Sequence, residues 1–338
     1  MFRVKKKISA LMAVMLAISI TACGSQSAFG EFDEDNGNLI VVGFSQPGAE
    51  STWRVALTDS VKENFTEERG YKLIYKDGRS KQDNQIKDIR TFIQQGVDYI
   101  VLSPIVETGW DTVLDEAKAA GIPVIICDRN VVVSNESLYT AFVGSDFIAE
   151  GEMAISNLEN ILLDEETGEV KSANIVHIQG TIGSSAQIGR SKALENALEK
   201  HDNWNVVYED CGEFTKAKAR EIMASGLQEV GADGIDVVYC ENDEEAFGAI
   251  AAMNEAGVKY GEEGIKVISF DAMNTALVLC LDGQISVEVE CNPLQGPYIY
   301  NLISRLNRGG AVPKITYVKE QYFTKDNLSN EIIEKRKF

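Results

Sequence analysis

The chain has 338 residues, 44% hydrophobic and 25% charged, with 28 glycines and only 6 prolines. That is enough for two domains with full cores, and too apolar and too poor in proline for a disordered chain. With 32 Lys and Arg against 52 Asp and Glu, the net charge of −20 repels phosphate backbones and disfavours nucleic acid, while 2 histidines give a His-rich metal site little material.

At the N-terminus Arg3, Lys5, Lys6 and Lys7 precede an apolar run from Ile8 to Ile20, and Thr21-Ala22-Cys23-Gly24 follows. A basic stretch, a short apolar run and small residues predict a secretory signal over 1–22, since the run is too short to span a bilayer comfortably. Ile20-Thr21-Ala22-Cys23 resembles the lipobox of bacterial lipoproteins, which implies that Cys23 is diacylated and becomes the mature N-terminus. Each buried CH₂ adds roughly 0.8 kcal/mol, so several acyl chains anchor a soluble domain at a membrane surface. Losing 1–22 removes four cations and no acids, taking the net from −20 to −24. The rest of 23–38, small, polar and acidic, reads as a tether.

From residue 39 one unit recurs: a β-branched run, a turn, then an amphipathic segment. Strands are predicted at 39–44, 72–75, 99–102, 123–126 and 139–143, and again at 174–178, 206–208, 235–239, 266–270 and 285–289. Helices are predicted near 80–97, 185–200, 214–230, 243–257 and 294–307; in the first, Ile86, Ile89, Ile93 and Val97 share one face. Near-continuous apolar strands separated by helices predict an α/β protein with parallel sheets covered on both faces. Ten such units overfill one open sheet, so two doubly wound lobes are expected.

Ligands of such sheets bind beyond the carboxyl ends of the strands. After the first run comes Ser45, then Glu50, Trp53 and Arg54; later runs end in Asp128-Arg129, Gln179-Gly180, Glu241-Asn242-Asp243 and Asp271. Carboxylates, guanidinium groups and amides satisfy both the donor and the acceptor of a sugar hydroxyl, and Trp53 offers a flat face to ring C–H groups. Neither a histidine nor a thiol pair stands at these ends. Of the cysteines beyond Cys23, five in number, not all can pair, and no CxxC occurs. A Cys280–Cys291 bridge stays open, Cys127 and Cys240 suit core positions, His177 suits a core strand and His201 a solvated turn.

The segments VGFSQPGAESTWR, KQDNQIK, PIVETGW, the Asp-Arg after PVIIC, QGTIGSSAQIGR, GEFTKAKA and YCEND carry a resemblance over the mature chain. It resembles the periplasmic sugar-binding proteins of the ribose/galactose type, receptors of bacterial ABC importers, and among them the galactofuranose-binding members. The resemblance implies a periplasmic binding protein type I fold, two lobes joined by a three-stranded hinge, with no cofactor and no metal. It implies that Asp128, Arg129, Arg190, Asn242 and Asp271 hold ring hydroxyls, with Glu50, Trp53, Arg54 and Phe214 from subgroup segments. Around 290–297 the pattern shifts by one residue, so either Asn292 or Glu290 faces the ligand. Lobes of 39–144 plus 272–292 and of 145–271 plus 293–325 are expected, with crossings near 145, 271 and 293 and a charged tail at 326–338. A lipid-anchored monomeric receptor for a monosaccharide, serving an ABC permease outside the cytoplasm, is thereby expected; a sensor input or a secreted glycosidase is the alternative.

Overall fold

The computed structural model describes residues 39–49 and 51–338; the signal, Cys23, the tether and Glu50 lie outside the described residues. The first lobe begins β1 (Ile40–Gln46), α1 (Thr52–Asn64), β2 (Tyr71–Asp77), α2 (Gln82–Gln95), β3 (Tyr99–Leu102), α3 (Asp111–Ala119), β4 (Val124–Asp128) and β5 (Ala141–Gly144). The predicted amphipathic face of α2 packs inward through Ile89 and Phe92, and Gly96 ends the helix at φ 63°, where its N–H reaches the carbonyls of Phe92 and Ile93. Glycine takes that left-handed cap without the steric cost of a Cβ.

The chain crosses through Ser145 into α4 (Phe147–Leu162) and repeats the winding. There follow β6 (Ala173–Gln179), α5 (Ser185–Lys200), β7 (Trp204–Cys211), α6 (Lys216–Val230), β8 (Val237–Cys240), α7 (Asp243–Glu255), β9 (Lys266–Asp271), α8 (Asn274–Leu281) and β10 (Val287–Glu290). It continues with α9 (Gly296–Asn307), β11 (Ile315–Tyr317), β12 (Tyr322–Phe323) and α10 (Asn330–Lys335). The sheets run β11-β5-β4-β3-β1-β2 and β12-β10-β9-β8-β6-β7, so their parallel cores have the same winding. Among the described strands only β12 pairs antiparallel, with β10. All ten predicted strands are present, and the fold is the two-lobed type I arrangement expected.

The expected division of the chain needs correcting. The span 272–292 belongs to the second lobe: β10 lies parallel beside β9, and Ala276, Leu277 and Cys280 of α8 enter that lobe's core. A right-handed crossover through α8 sets β10 beside the strand it follows, which keeps both in one sheet. The next span returns to the first lobe, where Ile299 and Ile303 of α9 pack with Leu57 and Val61 of α1, and β11 pairs with β5. The crossings therefore fall at Ser145, at Cys291–Asn292, close to the expected 293, and at Val318–Glu320; none falls at 271. Nor is 326–338 a free tail. Leu328 and Ile333 are buried in the second core, and the Phe338 carbonyl accepts the Asn274 N–H at 2.7 Å.

Candidate functional site

The carboxyl ends of both sheets close on one small cavity. Trp53, Arg54, Asp128 and Arg129 line it from the first lobe and Arg190, Phe214, Asn242 and Asp271 from the second, as the strand-end reading expected. Ser51, Phe147, Ala186 and Cys291 also line it and were not foreseen. The lobes are in contact around it: the Asn130 N–H donates to Ser185 Oγ at 2.8 Å, and the Glu107 N–H donates to the Gly183 carbonyl at 2.9 Å.

On the first-lobe side, the Ser51 hydroxyl caps α1 by accepting the Arg54 N–H, which fixes the turn that carries Trp53 and Arg54. The Arg54 guanidinium donates to Asp128 Oδ2 and to Ser103 Oγ (3.2 Å), and Ser103 Oγ donates to the same carboxylate oxygen at 3.0 Å. Asp128 itself sits at φ 61°, and its N–H is taken by Gln295 Oε1 at 2.9 Å. A non-glycine residue there costs on the order of 1–3 kcal/mol, so tertiary bonds hold it in place. Trp53 Nε1 donates to the Cys291 carbonyl, tying this wall to the second crossing.

On the second-lobe side, Arg190 is 2% exposed and donates through Nε to Glu150 Oε2 at 2.8 Å and through Nη1 to the Glu241 carbonyl; Nη2 lies 3.7 Å from Asp271 Oδ1. Burial opposes its charge, but its neighbours, Glu150 foremost, outweigh burial and hold its pKa above the ordinary value. Burial pushes the Asp271 carboxyl up, with Arg190 and Arg54 pulling the other way. Asp271 and Ala272 adopt φ 111° and 57°. Their turn is pinned from below, where Ala272 N–H donates to Glu288 Oε1 at 2.9 Å and Met273 N–H to Asp243 Oδ2 at 2.8 Å. Asn242 caps α7 by accepting the Glu245 N–H at 2.9 Å, and its amide donates to the Phe214 carbonyl at 3.4 Å.

Phe214 closes the wall. Its ring lies 5.0 Å from the Arg129 guanidinium across the cleft, a cation–π contact. Gly180 makes room for it, since a Cβ there would stand 2.0 Å from the Phe214 ring.

Two predicted residues are not in the lining. Ser45 is buried with its hydroxyl donating to Asp88 Oδ2 at 3.0 Å, so it ties β1 to α2. Asn292 accepts the Leu294 N–H at 2.9 Å and shapes the second crossing, while Glu290 pairs with Arg336; the cavity residue of that segment is Cys291. The Cys280–Cys291 bridge is absent, and all five described cysteines are free. His177 is a buried core residue, between Glu209 (2.7 Å) and Glu241 (3.0 Å). His201 is not simply solvated: it bonds Glu159 at 2.8 Å and stacks on Trp204. Among the described residues no helix is long and apolar enough to cross a membrane.

A twin-lobed α/β scaffold with a polar, aromatic-walled cavity between its sheets defines a solute receptor of the periplasmic binding type. The periplasmic binding protein domain matches residues 42–307, and the chain belongs to that family. It is 38% identical to the galactofuranose-binding protein YtfQ of Escherichia coli (strain K12), over 88% of this chain and 92% of that protein. Among solved structures it is similar to the periplasmic binding component of the arabinose ABC transporter from Shewanella sp. ANA-3, bound to α- and β-L-arabinofuranose. That match has 37% identity and a TM-score of 0.79, covering 88% of this chain and 95% of the other. A Mycobacterium smegmatis structure in complex with β-D-fucofuranose matches at 38% identity and a TM-score of 0.78, covering 85% and 92%.

Proposed function

We propose that the chain is an extracytoplasmic receptor that closes its lobes around one monosaccharide, a furanose of the galactofuranose kind, and presents it to an ABC permease. One observation carries this reading: the hydrogen-bonding groups of one small cavity are split between the lobes, Arg54, Asp128 and Arg129 against Arg190, Asn242 and Asp271. A ligand bonded to both walls stabilises the closed arrangement, because only that arrangement offers it every contact. The carboxylates accept from hydroxyls and the guanidinium groups donate to them. Trp53, Phe147 and Phe214 supply apolar faces for ring C–H groups. The ring form is supported by the relatives named for galactofuranose and those solved with arabinofuranose and fucofuranose. In this reading Cys23 carries the lipid anchor, the protein acts as a monomer, and it catalyses no reaction.

Calorimetry against D-galactose, L-arabinose, D-fucose and D-ribose, with native mass spectrometry of the freshly purified protein, tests the proposal. Binding of galactose or arabinose in preference to ribose is expected, with a co-purified hexose or pentose. No binding by any of these sugars would overturn it.

A further inference from the structure

One side chain from each crossing meets in a single cluster: Ser145 from the first, Cys291 from the second and Glu320 from the third. Glu150, in the first turn of α4, completes it, and one carboxylate oxygen each of Glu150 and Glu320 lies within 4.8 Å of the other and of Cys291 Sγ. Ser145 Oγ donates to Glu320 Oε1 at 2.6 Å, and the Asn292 N–H donates to the same oxygen at 2.8 Å. Ser145 Oγ also lies 3.4 Å from Cys291 Sγ.

On the far side, Glu150 Oε2 holds Arg190 at 2.7 Å, while Glu150 Oε1 is buried without a hydrogen-bond partner. Two carboxyl groups thus face one another, Glu150 fully buried and Glu320 half-buried, with one acceptor unsatisfied. Arg190 neutralises one of them and is also drawn to Asp271. Like charges at this range cannot both persist cheaply.

We propose that Glu320 is a positioning residue: in the closed receptor it is protonated, donates to Glu150 Oε1, and so ties the three crossings to the arginine that lines the cavity. That bond satisfies the orphan acceptor and leaves Glu150 anionic toward Arg190. Lobe opening must bend these same crossings, so a bond made across them belongs to the closed state.

The charges around Glu320 agree. Burial and then Glu150 push its carboxyl up to about 9, against the pull of Ser145 and the Asn292 N–H. Burial also raises Glu150, opposed by Arg190. The Cys291 thiol is pushed up by burial and by Glu150 and Glu320, against Arg190, and so faces the pair as a neutral group; Asp271 is the next acid.

The test compares wild type with Glu320→Gln and Glu320→Ala. Glutamine is the mimic of a protonated glutamic acid: its carbonyl accepts from Ser145 and Asn292, and its amide donates to Glu150. The affinity arm rests on the sugar-receptor reading, so infrared spectroscopy without ligand gives an independent readout. Within the protonated-carboxyl absorption shared with the raised acids of the second lobe, the wild type should show a component that bleaches as the pH rises through about 9 and is missing in Glu320→Gln. By calorimetry with D-galactose, wild-type affinity should fall about tenfold between about pH 7 and about pH 10. Glu320→Gln should hold the neutral-pH affinity throughout, and Glu320→Ala should be about tenfold weaker at every pH. An unchanged infrared band, or a wild-type pH profile in Glu320→Gln, overturns the proposal. So does a metal ion that co-purifies in one-to-one ratio and is lost in Glu320→Ala. If D-galactose binds none of the three proteins, the functional reading is what fails, and the infrared band alone decides the role of Glu320.

Discussion

The first-lobe wall of the cavity sets two guanidinium groups, Arg54 and Arg129, against one carboxylate, Asp128. The second-lobe wall instead sets Arg190 among Glu150, Glu241 and Asp271, with Asp243, Glu245 and Glu288 buried behind them. The first wall is completed by uncharged partners, Gln46, Ser103 and Gln295. The second has far more acid than base, and burial raises Asp243, Glu245, Asp271 and Glu288 alike. The acidity of the chain is therefore not only a solvated surface. Part of it is stored behind one wall, where each carboxyl group needs a cation or a proton of its own. Both walls can give and accept hydrogen bonds from a sugar, but the raised buried acids stand behind the second.

Removing the cation from each wall in turn is the strongest way to break that contrast. Arg190→Ala leaves Glu150 and Asp271 buried without their guanidinium, a loss of about 3–5 kcal/mol in unfolding free energy. Urea titration measures it. A loss below about 1 kcal/mol would show that the acids simply take up protons, and the contrast between the walls would collapse.

Arg129→Ala acts differently. Asp128 keeps Arg54, so the fold should stay within about 1 kcal/mol of wild type while sugar affinity drops at least about a hundredfold. The variant also deletes the cross-cleft contact with Phe214. Unchanged affinity by calorimetry would take Arg129 out of the site.

The strands of both sheets were legible because each is a compact apolar run, as in Val237–Cys240, and because their ends carry the polar residues that line the cavity. The late edge strands were not. Ile315, Tyr317 and Tyr322 are exposed, so β11 and β12 leave no apolar run to read. The lobe that receives 272–292 is likewise set by a crossover's hand, which composition does not encode. Within the site, charged strand-end residues announced themselves, but their supports did not. Glu150 looks like one more acid on a helix until Arg190 is seen beside it, and Asp128 and Asp271 gave no sign of their positive φ. Cys291 was masked by its neighbours Glu290 and Asn292, the expected ligand candidates, which serve an ion pair and a turn.

The smallest effect lies deeper in the second lobe, where the titrating group is a base held between acids. His177 is held by Glu209 and Glu241, while Glu241 also accepts from Ser191 Oγ at 2.6 Å and from the Gly180 N–H at 2.8 Å. Burial disfavours the imidazolium, but the two carboxylates win and raise its pKa from 6.5 to about 9. The folded state thus binds this proton more tightly than the unfolded chain does. The stabilisation is complete below about 6.5 and fades as the pH rises through about 9, amounting to about 2 kcal/mol between about pH 7 and about pH 9. Glu320 drifts in the same direction, so wild type alone does not isolate the histidine. The difference between wild type and His177→Gln does, because the glutamine amide is uncharged throughout. Urea midpoints for the two proteins should converge as the pH approaches about 9. A constant gap would mean that His177 is neutral in the folded protein and that Glu241 is positioned by Ser191 and Gly180 alone.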